Sequence, residues 1–259
     1  MTDPTSMQPT TPDDEPQSVT LTPAEALKVL DQGEMETVHG LMRYSSNYTY
    51  LVTMRLDELC ANAIYKPQRG ERPLWDFPDA TLCYRERASF ITAELLGWQF
   101  IPPTVLREGK RGLGSIQLYI EHDPDRHYFT FEGHHAPQLA RIQLFDALVN
   151  NADRKGGHML LDEQDKVWCI DQGLTFNEDH KLRTVVWDFA GQPIPEPLVA
   201  DVERLEVAVK DTQSAYRLQL DALLTPRETQ AFTSRIEQLL RKPYYPMPGA
   251  GPNYPWPAV

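Results

Sequence analysis

The first hydrophobic pattern along the chain is that of an amphipathic helix, in the stretch LTPAEALKVLDQG. Its apolar residues recur every three or four positions, which places them on one side of a helix. Thr22 and Glu25 are spaced as a capping box, and Pro23 fits the first turn. Gly33 is a suitable end. The same signals return in TPRETQAFTSRIEQLLRK, which predicts a second capped helix over residues 225–242.

Alternation of apolar and polar residues predicts strands in the front half of the chain. The stretches METVHGLMRY (35–44) and YTYLVTMRL (48–56) are rich in β-branched and aromatic residues and predict a hairpin. NAIYKP (62–67) predicts a third short strand, which the proline ends. PPTVLRE and GSIQLYIE predict two more strands around a glycine-rich turn at residues 109–114.

Apolar residues at helical spacing predict one helix among these strands and several helices after them. DATLCYRERASFITAELLGW predicts a helix with Asp79 as the candidate N-cap and Gly97 as its end. Further helices are predicted over 136–151 and within 198–224. A β-rich front half followed by an α-rich back half indicates a bilobal α+β fold, with an N-lobe over residues 21–120 and a C-lobe over residues 121–242.

Composition separates the two ends of the chain from this folded part. Residues 1–20 are rich in Pro, Thr, Asp and Gln and contain almost no large apolar side chain, so we expect a disordered tail. Residues 243–259 are too rich in proline for a helix or sheet. Their aromatic side chains, Tyr244, Tyr245, Tyr254 and Trp256, predict an extended arm that packs on the surface.

Charge and cysteine content narrow the class of protein. The chain has 37 acidic and 25 basic residues and a formal net charge of -12, which argues against nucleic acid and an electrostatic membrane anchor as partners. Its three cysteines match no zinc spacing. The first residues lack the basic and apolar regions of a signal peptide, and no apolar run is long enough to cross a bilayer. We therefore expect a cytoplasmic protein.

The densest group of reactive residues is the loop NNADRKGGHMLL, residues 150–161, followed by DQG. Phosphoryl transfer from ATP needs an aspartate at the acceptor hydroxyl, a cation at the transferred phosphate, and ligands for a bridging metal ion. Asp153 and Lys155 fit the first two roles. His158, five residues after Asp153, and Asp171, at the end of the next predicted strand, fit the third.

These motifs resemble the catalytic and metal loops of the phosphatidylinositol 3-/4-kinase-like superfamily, which has a protein-kinase-like fold. The chain is especially similar to type II phosphatidylinositol 4-kinases and, more distantly, to HipA-type toxin kinases, over about residues 36–176. The resemblance implies an ATP-dependent phosphotransferase that uses Mg²⁺ or Mn²⁺. It assigns catalytic roles to Asp153 and Lys155 and metal binding to His158 and Asp171.

The same resemblance implies a nucleotide site upstream of this loop. AIYKP is similar to the strand whose lysine contacts the nucleotide phosphates, here Lys66, and YRERASFITAELL is similar to the helix that carries its ion-pair partner, here Glu86. GSIQLYIE resembles the hinge strand that binds adenine through its backbone near Ile120. YSSNYT replaces the usual glycine-rich loop, so backbone and hydroxyl groups of Ser45, Ser46 and Asn47 are the implied phosphate contacts.

One departure from the family pattern affects the choice of metal. His158 stands where these kinases have an asparagine, and magnesium binds imidazole nitrogen less readily than oxygen. Manganese is therefore an alternative cofactor.

The adjacent residues His134 and His135 also suggest a metal site, but no third ligand lies near them in the sequence, so we expect no metal site there.

The motifs leave alternatives to a kinase. A nucleotide-binding pseudokinase and an enzyme that transfers AMP would use the same fold. A metal-dependent hydrolase or nuclease could use Asp153, His158 and Asp171, but the acidic charge argues against it. The acceptor of a kinase is expected to be a protein hydroxyl or a soluble small molecule, because the chain has no basic helix or cysteine cluster suited to a lipid surface.

Overall fold

The structure is a computed structural model that describes residues 21–41 and 48–259. The predicted disorder of residues 1–20 and the predicted phosphate loop at Ser45, Ser46 and Asn47 lie outside these residues. The described chain forms an antiparallel sheet followed by a mainly helical part. The predicted bilobal α+β class is therefore confirmed.

The sheet of the N-lobe has five strands in the order β1-β2-β3-β5-β4, and each neighbouring pair is antiparallel. The predicted hairpin, the third strand and the glycine-rich turn are all present. The strands are β1 (Glu34–Leu41), β2 (Tyr50–Leu56), β3 (Leu59–Pro67), β4 (Thr104–Gly109) and β5 (Gly112–Leu118).

Helix α1 (Pro23–Gln32) covers one face of this sheet and begins with the predicted capping box. Its Val29 and Leu30 are buried in one apolar cluster with Tyr65 of β3. Because successive side chains of a strand point to opposite faces, burial of Tyr65 under α1 directs Lys66 to the other face. That face is turned toward the C-lobe.

Helix α2 (Leu82–Leu96) ends as predicted at Gly97, which has a left-handed φ of 73°, but its predicted N-cap is wrong. The helix begins three residues after Asp79, and Thr81 in the N-cap position makes no side-chain capping bond. Glu71 accepts hydrogen bonds from the backbone N–H groups of Leu82 and Cys83, at 3.1 and 2.9 Å. A carboxylate eleven residues before the helix thus binds its free amides.

The C-lobe is built from helices around a short hairpin. Its largest apolar cluster joins the inner faces of these helices with residues of α2, so α2 contributes to the C-lobe core as well. Helix α6 begins with the predicted capping box. The elements are α3 (Ala136–Val149), β6 (Met159–Leu161), β7 (Val167–Cys169), α4 (Glu196–Lys210), α5 (Ala215–Leu223) and α6 (Pro226–Arg241).

Across residues 21–41 and 48–259, none of the helices combines the length and the apolar character that crossing a membrane requires.

The C-terminal arm, residues 243–259, follows the surface of the C-lobe without regular structure of its own. Tyr245 is buried, but Tyr244 is 48%, Tyr254 58% and Trp256 92% exposed, so the expectation that the arm's aromatic side chains are buried is wrong for these three. Backbone groups hold the arm instead. The carbonyl of Asn253 accepts from Thr184 N at 3.1 Å, and the carbonyl of Ala258 accepts from Gly156 N at 2.7 Å.

Candidate active site

A cavity of about 940 Å³ lies between the sheet of the N-lobe and the loop that follows α3. Its volume is within the range of about 300–1,000 Å³ that is typical of small-molecule sites. The structure brings seven of the described candidate residues to its wall. They are Lys66, Glu86, Ile120, Asp153, Lys155, His158 and Asp171.

Lys66 connects the two lobes at the centre of this cavity. Its Nζ donates to Glu86 Oε1 at 2.6 Å and also to Asp171 Oδ1. The second Glu86 oxygen, Oε2, accepts from the backbone N–H of Gln172 at 3.1 Å. One carboxylate of α2 therefore orients both the lysine of β3 and the backbone next to Asp171.

The electrostatic environment keeps this ion pair charged. Burial disfavours the charged form of Lys66, but the carboxylates of Asp171 and Glu86 outweigh burial and raise the pKa of Lys66 above its ordinary value. Burial acts against the charged form of Asp171 as well, yet Lys66 and His158 hold its pKa below the usual range. The Lys66 ammonium therefore lies between the carboxylates of Glu86 and Asp171.

Asp153 lines the same cavity, on a tight turn. Its backbone N–H donates to the side-chain oxygen of Asn151 at 2.9 Å, which fixes the start of the loop. Its carboxylate lies 3.3 Å from Lys155 Nζ. Burial raises the pKa of the Asp153 carboxyl, although Lys155 opposes the shift. A raised pKa brings a carboxylate closer to the working range of a general base.

His158 and Asp171, the residues predicted to bind metal, are in direct contact. His158 Nε2 lies 3.3 Å from Asp171 Oδ2, close to the separation of two ligand atoms that each lie about 2.0–2.2 Å from a divalent ion. Burial lowers the pKa of His158 to about 4, despite the opposing effect of Asp171, so the imidazole is neutral at neutral pH. A neutral ring nitrogen is the form that binds metal.

Ile120 lies two residues beyond the end of β5 and is buried against the same cavity. His122 Nδ1 lies 2.8 Å from its carbonyl oxygen. The structure therefore places the implied hinge backbone at the cavity, with its carbonyl already engaged by His122. The predicted phosphate contacts at residues 45–47 lie outside the described chain, and Tyr48 and Thr49, which follow them, line the cavity.

Sequence reasoning did not identify the buried ion pair that supports the loop of Asp153. Arg154 and Asp146 are completely buried and form an ion pair, with Arg154 Nη2 3.2 Å from Asp146 Oδ1. Arg154 also donates to the carbonyl of Ile170 and to Gln172 Oε1, both at 2.9 Å. It thus joins the loops of Asp153 and Asp171. The available signal was Asp146 itself, a charged residue within the apolar run LFDALV.

The C-terminal arm is the second feature that the motifs did not reveal at this cavity. Pro257 and Val259 lie on its wall, and Ala258 is hydrogen-bonded to Gly156 of the catalytic loop. A Cβ atom on Gly156 would come within 2.7 Å of the Phe129 ring. A side chain at this position would therefore displace the Phe129 ring, because that ring approaches the Gly156 backbone closely.

Comparison with solved structures identifies the fold of this chain. No protein-family model matches the chain. A solved Golgi casein kinase with Mn and ADP bound superposes with a TM-score of 0.56 and 14% identity, over 85% of this chain and 74% of that one. The Helicobacter pylori proinflammatory kinase CtkA superposes with a TM-score of 0.52 and 10% identity, over 83% and 94%. The chain therefore has a bilobal kinase-like fold.

The sequence comparison identifies a relative that matches along most of the chain. The Mycobacterium tuberculosis protein Rv2133c is 35% identical over 265 aligned positions, which cover 89% of this chain and 94% of that protein. An identity of this size over nearly the whole length of both chains is a family relationship. This chain belongs to the family of the M. tuberculosis protein Rv2133c.

Proposed function

We propose that the protein is an ATP-dependent phosphotransferase that requires a divalent metal ion, Mg²⁺ or Mn²⁺. The observation that carries the proposal is the convergence of three side-chain pairs on one cavity: Lys66 with Glu86, Asp153 with Lys155, and the neutral His158 with Asp171. The kinase-like fold and a similar structure that holds Mn and ADP support it. Within that fold, the motifs favour the phosphatidylinositol 3-/4-kinase-like group.

The residues divide between binding and chemistry. Lys66, held by Glu86, is suited to position nucleotide phosphates. Asp171 and the neutral His158 would hold the metal, which neutralises phosphate charge when bound. The neighbouring backbone of Ile120 would contact the adenine.

Asp153 and Lys155 are assigned to the transfer step itself. Asp153 is suited to orient an acceptor hydroxyl and accept its proton, because burial has raised its pKa. Lys155, 3.3 Å from Asp153, would stabilise negative charge on the transferred group. Each step uses a group that already lines the cavity.

A protein hydroxyl or a soluble small molecule is the acceptor that we propose. The net charge of -12 opposes binding to anionic lipid surfaces. The C-terminal arm also supports a peptide acceptor, because its extended backbone at Ala258 already binds the amide of Gly156, three residues from Asp153. A peptide can therefore lie beside the proposed base.

The test combines nucleotide binding with turnover. ATP with MnCl₂ should raise the melting temperature, since a ligand that binds only the native state stabilises it. Lys66→Ala should remove most of this rise, whereas Lys28→Ala, at an exposed position of α1, should not. Asp153→Asn should keep the rise but lower transfer from γ-labelled ATP by about 10²- to 10⁴-fold. Exposed Asp125→Asn is its matched control.

The outcomes separate the alternatives. Absence of any rise at roughly millimolar ATP, the upper end of ordinary substrate affinities, would contradict nucleotide binding. A rise without turnover in the unmodified protein would indicate a pseudokinase. Transfer of label from α-labelled but not from γ-labelled ATP would indicate AMP transfer.

A further inference from the structure

A second group of possible metal ligands lies away from the cavity, where the turn between β6 and β7 meets the start of α3. It consists of His134, His135 and Asp165, here called the His–Asp cluster. None of the three lines the cavity. Sequence reasoning found the two histidines but no third ligand. Asp165, about thirty residues later, supplies it through the fold.

The three side chains converge on one point. One ligand atom from each residue lies within 4.8 Å of the others. His135 Nε2 is 3.3 Å from Asp165 Oδ2, and His134 Nε2 contacts the same oxygen. In a tetrahedral site with ligands about 2.0–2.1 Å from the metal, ligand atoms are about 3.3 Å apart. His135 and Asp165 already have this separation, and the exposed His134 side chain can move outward to reach it.

The state of His135 points to a ligand. Its side chain is 1% exposed, and within residues 21–41 and 48–259 its Nε2 forms no hydrogen bond but faces Asp165 Oδ2 at 3.3 Å. Its other nitrogen, Nδ1, lies 3.1 Å from both the backbone nitrogen and the carbonyl oxygen of Glu132, so it can accept from the first or donate to the second. Donation to the backbone carbonyl, which is common in metal-binding histidines, leaves the Nε2 lone pair for a metal. A buried ring nitrogen without a partner otherwise costs stability.

Asp165 is held so that one oxygen remains directed at the histidines. Arg126 Nη2 lies 3.0 Å from Oδ1, which leaves Oδ2 for the cluster. The backbone of its turn is fixed by Asp162, whose carboxylate accepts from the N–H groups of Gln164 and Lys166 at 3.0 and 2.9 Å. A ligand on a braced turn loses little conformational entropy when it binds a metal.

We propose that the His–Asp cluster binds a divalent transition metal of the zinc class, with water in the fourth position. Two imidazoles and one carboxylate suit zinc and its neighbours, whereas magnesium and calcium prefer oxygen ligands alone. Such an ion links the β6–β7 turn to the start of α3. It thereby steadies the hairpin that carries His158 at one end and Asp171 beyond the other. This proposal does not depend on the proposed kinase activity.

The test uses an Asp171→Ala background, so that the cavity contributes no metal binding through that carboxylate. Co²⁺ added to this protein should give the visible absorption bands of a four-coordinate site, and ZnCl₂ should abolish them by competition. Asp165→Asn and His134→Ala, whose side chains are 41% and 55% exposed, should each weaken Zn²⁺ binding by more than about 100-fold. That exceeds the about 10- to 100-fold loss expected for a residue that only supports a ligand.

His180→Ala is the matched control, since this exposed histidine lies outside the cluster. It should bind Zn²⁺ as the background protein does. Circular dichroism in EDTA establishes that each variant is folded. Visible Co²⁺ bands that persist in Asp165→Asn, or a background protein that binds neither Co²⁺ nor Zn²⁺, would overturn the proposal.

Discussion

The strongest test of the structure is the substitution Asp146→Ala, which removes one partner of the buried ion pair beneath the loop of Asp153. Asp146 lies on α3 and is completely buried, as is Arg154. Its carboxylate also accepts from Asn151 Nδ2 at 3.0 Å and from Thr184 Oγ1 at 3.1 Å. The substitution leaves the Arg154 guanidinium charged and without a counter-ion, because arginine does not lose its proton in a protein.

The magnitude follows from the burial of both groups. Removing one partner of a buried ion pair costs about 3–5 kcal/mol of the free energy of unfolding, because the remaining charge stays out of water. For a chain of this size, about 2–4 °C of melting temperature corresponds to each kcal/mol, so we expect a loss of about 6–20 °C. Arg154 follows Asp153 directly and donates hydrogen bonds to both neighbours of Asp171, so the loops of Asp153 and Asp171 should lose order together.

Urea unfolding followed by circular dichroism measures this loss. The control is Glu237→Ala, which breaks an exposed contact with Lys210 and should change stability little. The double variant Asp146→Leu with Arg154→Met removes both charges and should recover more than half of the loss. A loss below about 1 kcal/mol for Asp146→Ala would refute the reasoning, since it would mean that water reaches the pair.

Two further predictions concern contacts that the motifs did not reveal. Glu71→Ala should lower the free energy of unfolding by about 0.5–2 kcal/mol, the usual effect of losing a helix N-cap, whereas Glu58→Ala at an exposed turn should not. An unchanged midpoint in urea would contradict the capping role. Deleting residues 257–259 removes the acceptor of the Gly156 amide, so hydrogen exchange over residues 150–161 should become faster. Unchanged exchange there would show that the arm does not hold the loop.

Local signals account for the parts of the fold that were predicted correctly. The capping boxes at Thr22 and Thr225 each use residues three positions apart, and both are present. Alternation placed the five strands, and the same alternation directs Lys66 away from the core. The prediction of Asp79 as the N-cap was wrong because Glu71, which comes earlier in the chain, accepts hydrogen bonds from the free amides of α2 instead.

The order of the motifs along the sequence identified the residues of the candidate site but not the contacts between them. The sequence places Lys66, Glu86, Asp153 and Asp171 in the order of a kinase. It does not specify that Lys66 contacts Glu86 and Asp171 at once, since Lys66 and Asp171 are 105 positions apart. It also assigned His158 a role but not its neutral state, which results from burial.

The sequence by itself therefore determined what depends on neighbours within a turn or a strand: helix ends, strand faces and the identity of the reactive side chains. The tertiary structure alone decided which distant groups meet. Asp146 reaches Arg154, Asp165 reaches His135, and Ala258 reaches Gly156 only after the elements of the C-lobe and the C-terminal arm have packed. The reason is physical, because side-chain periodicity reports which face of an element is buried, whereas contacts between elements depend on how those faces pack together.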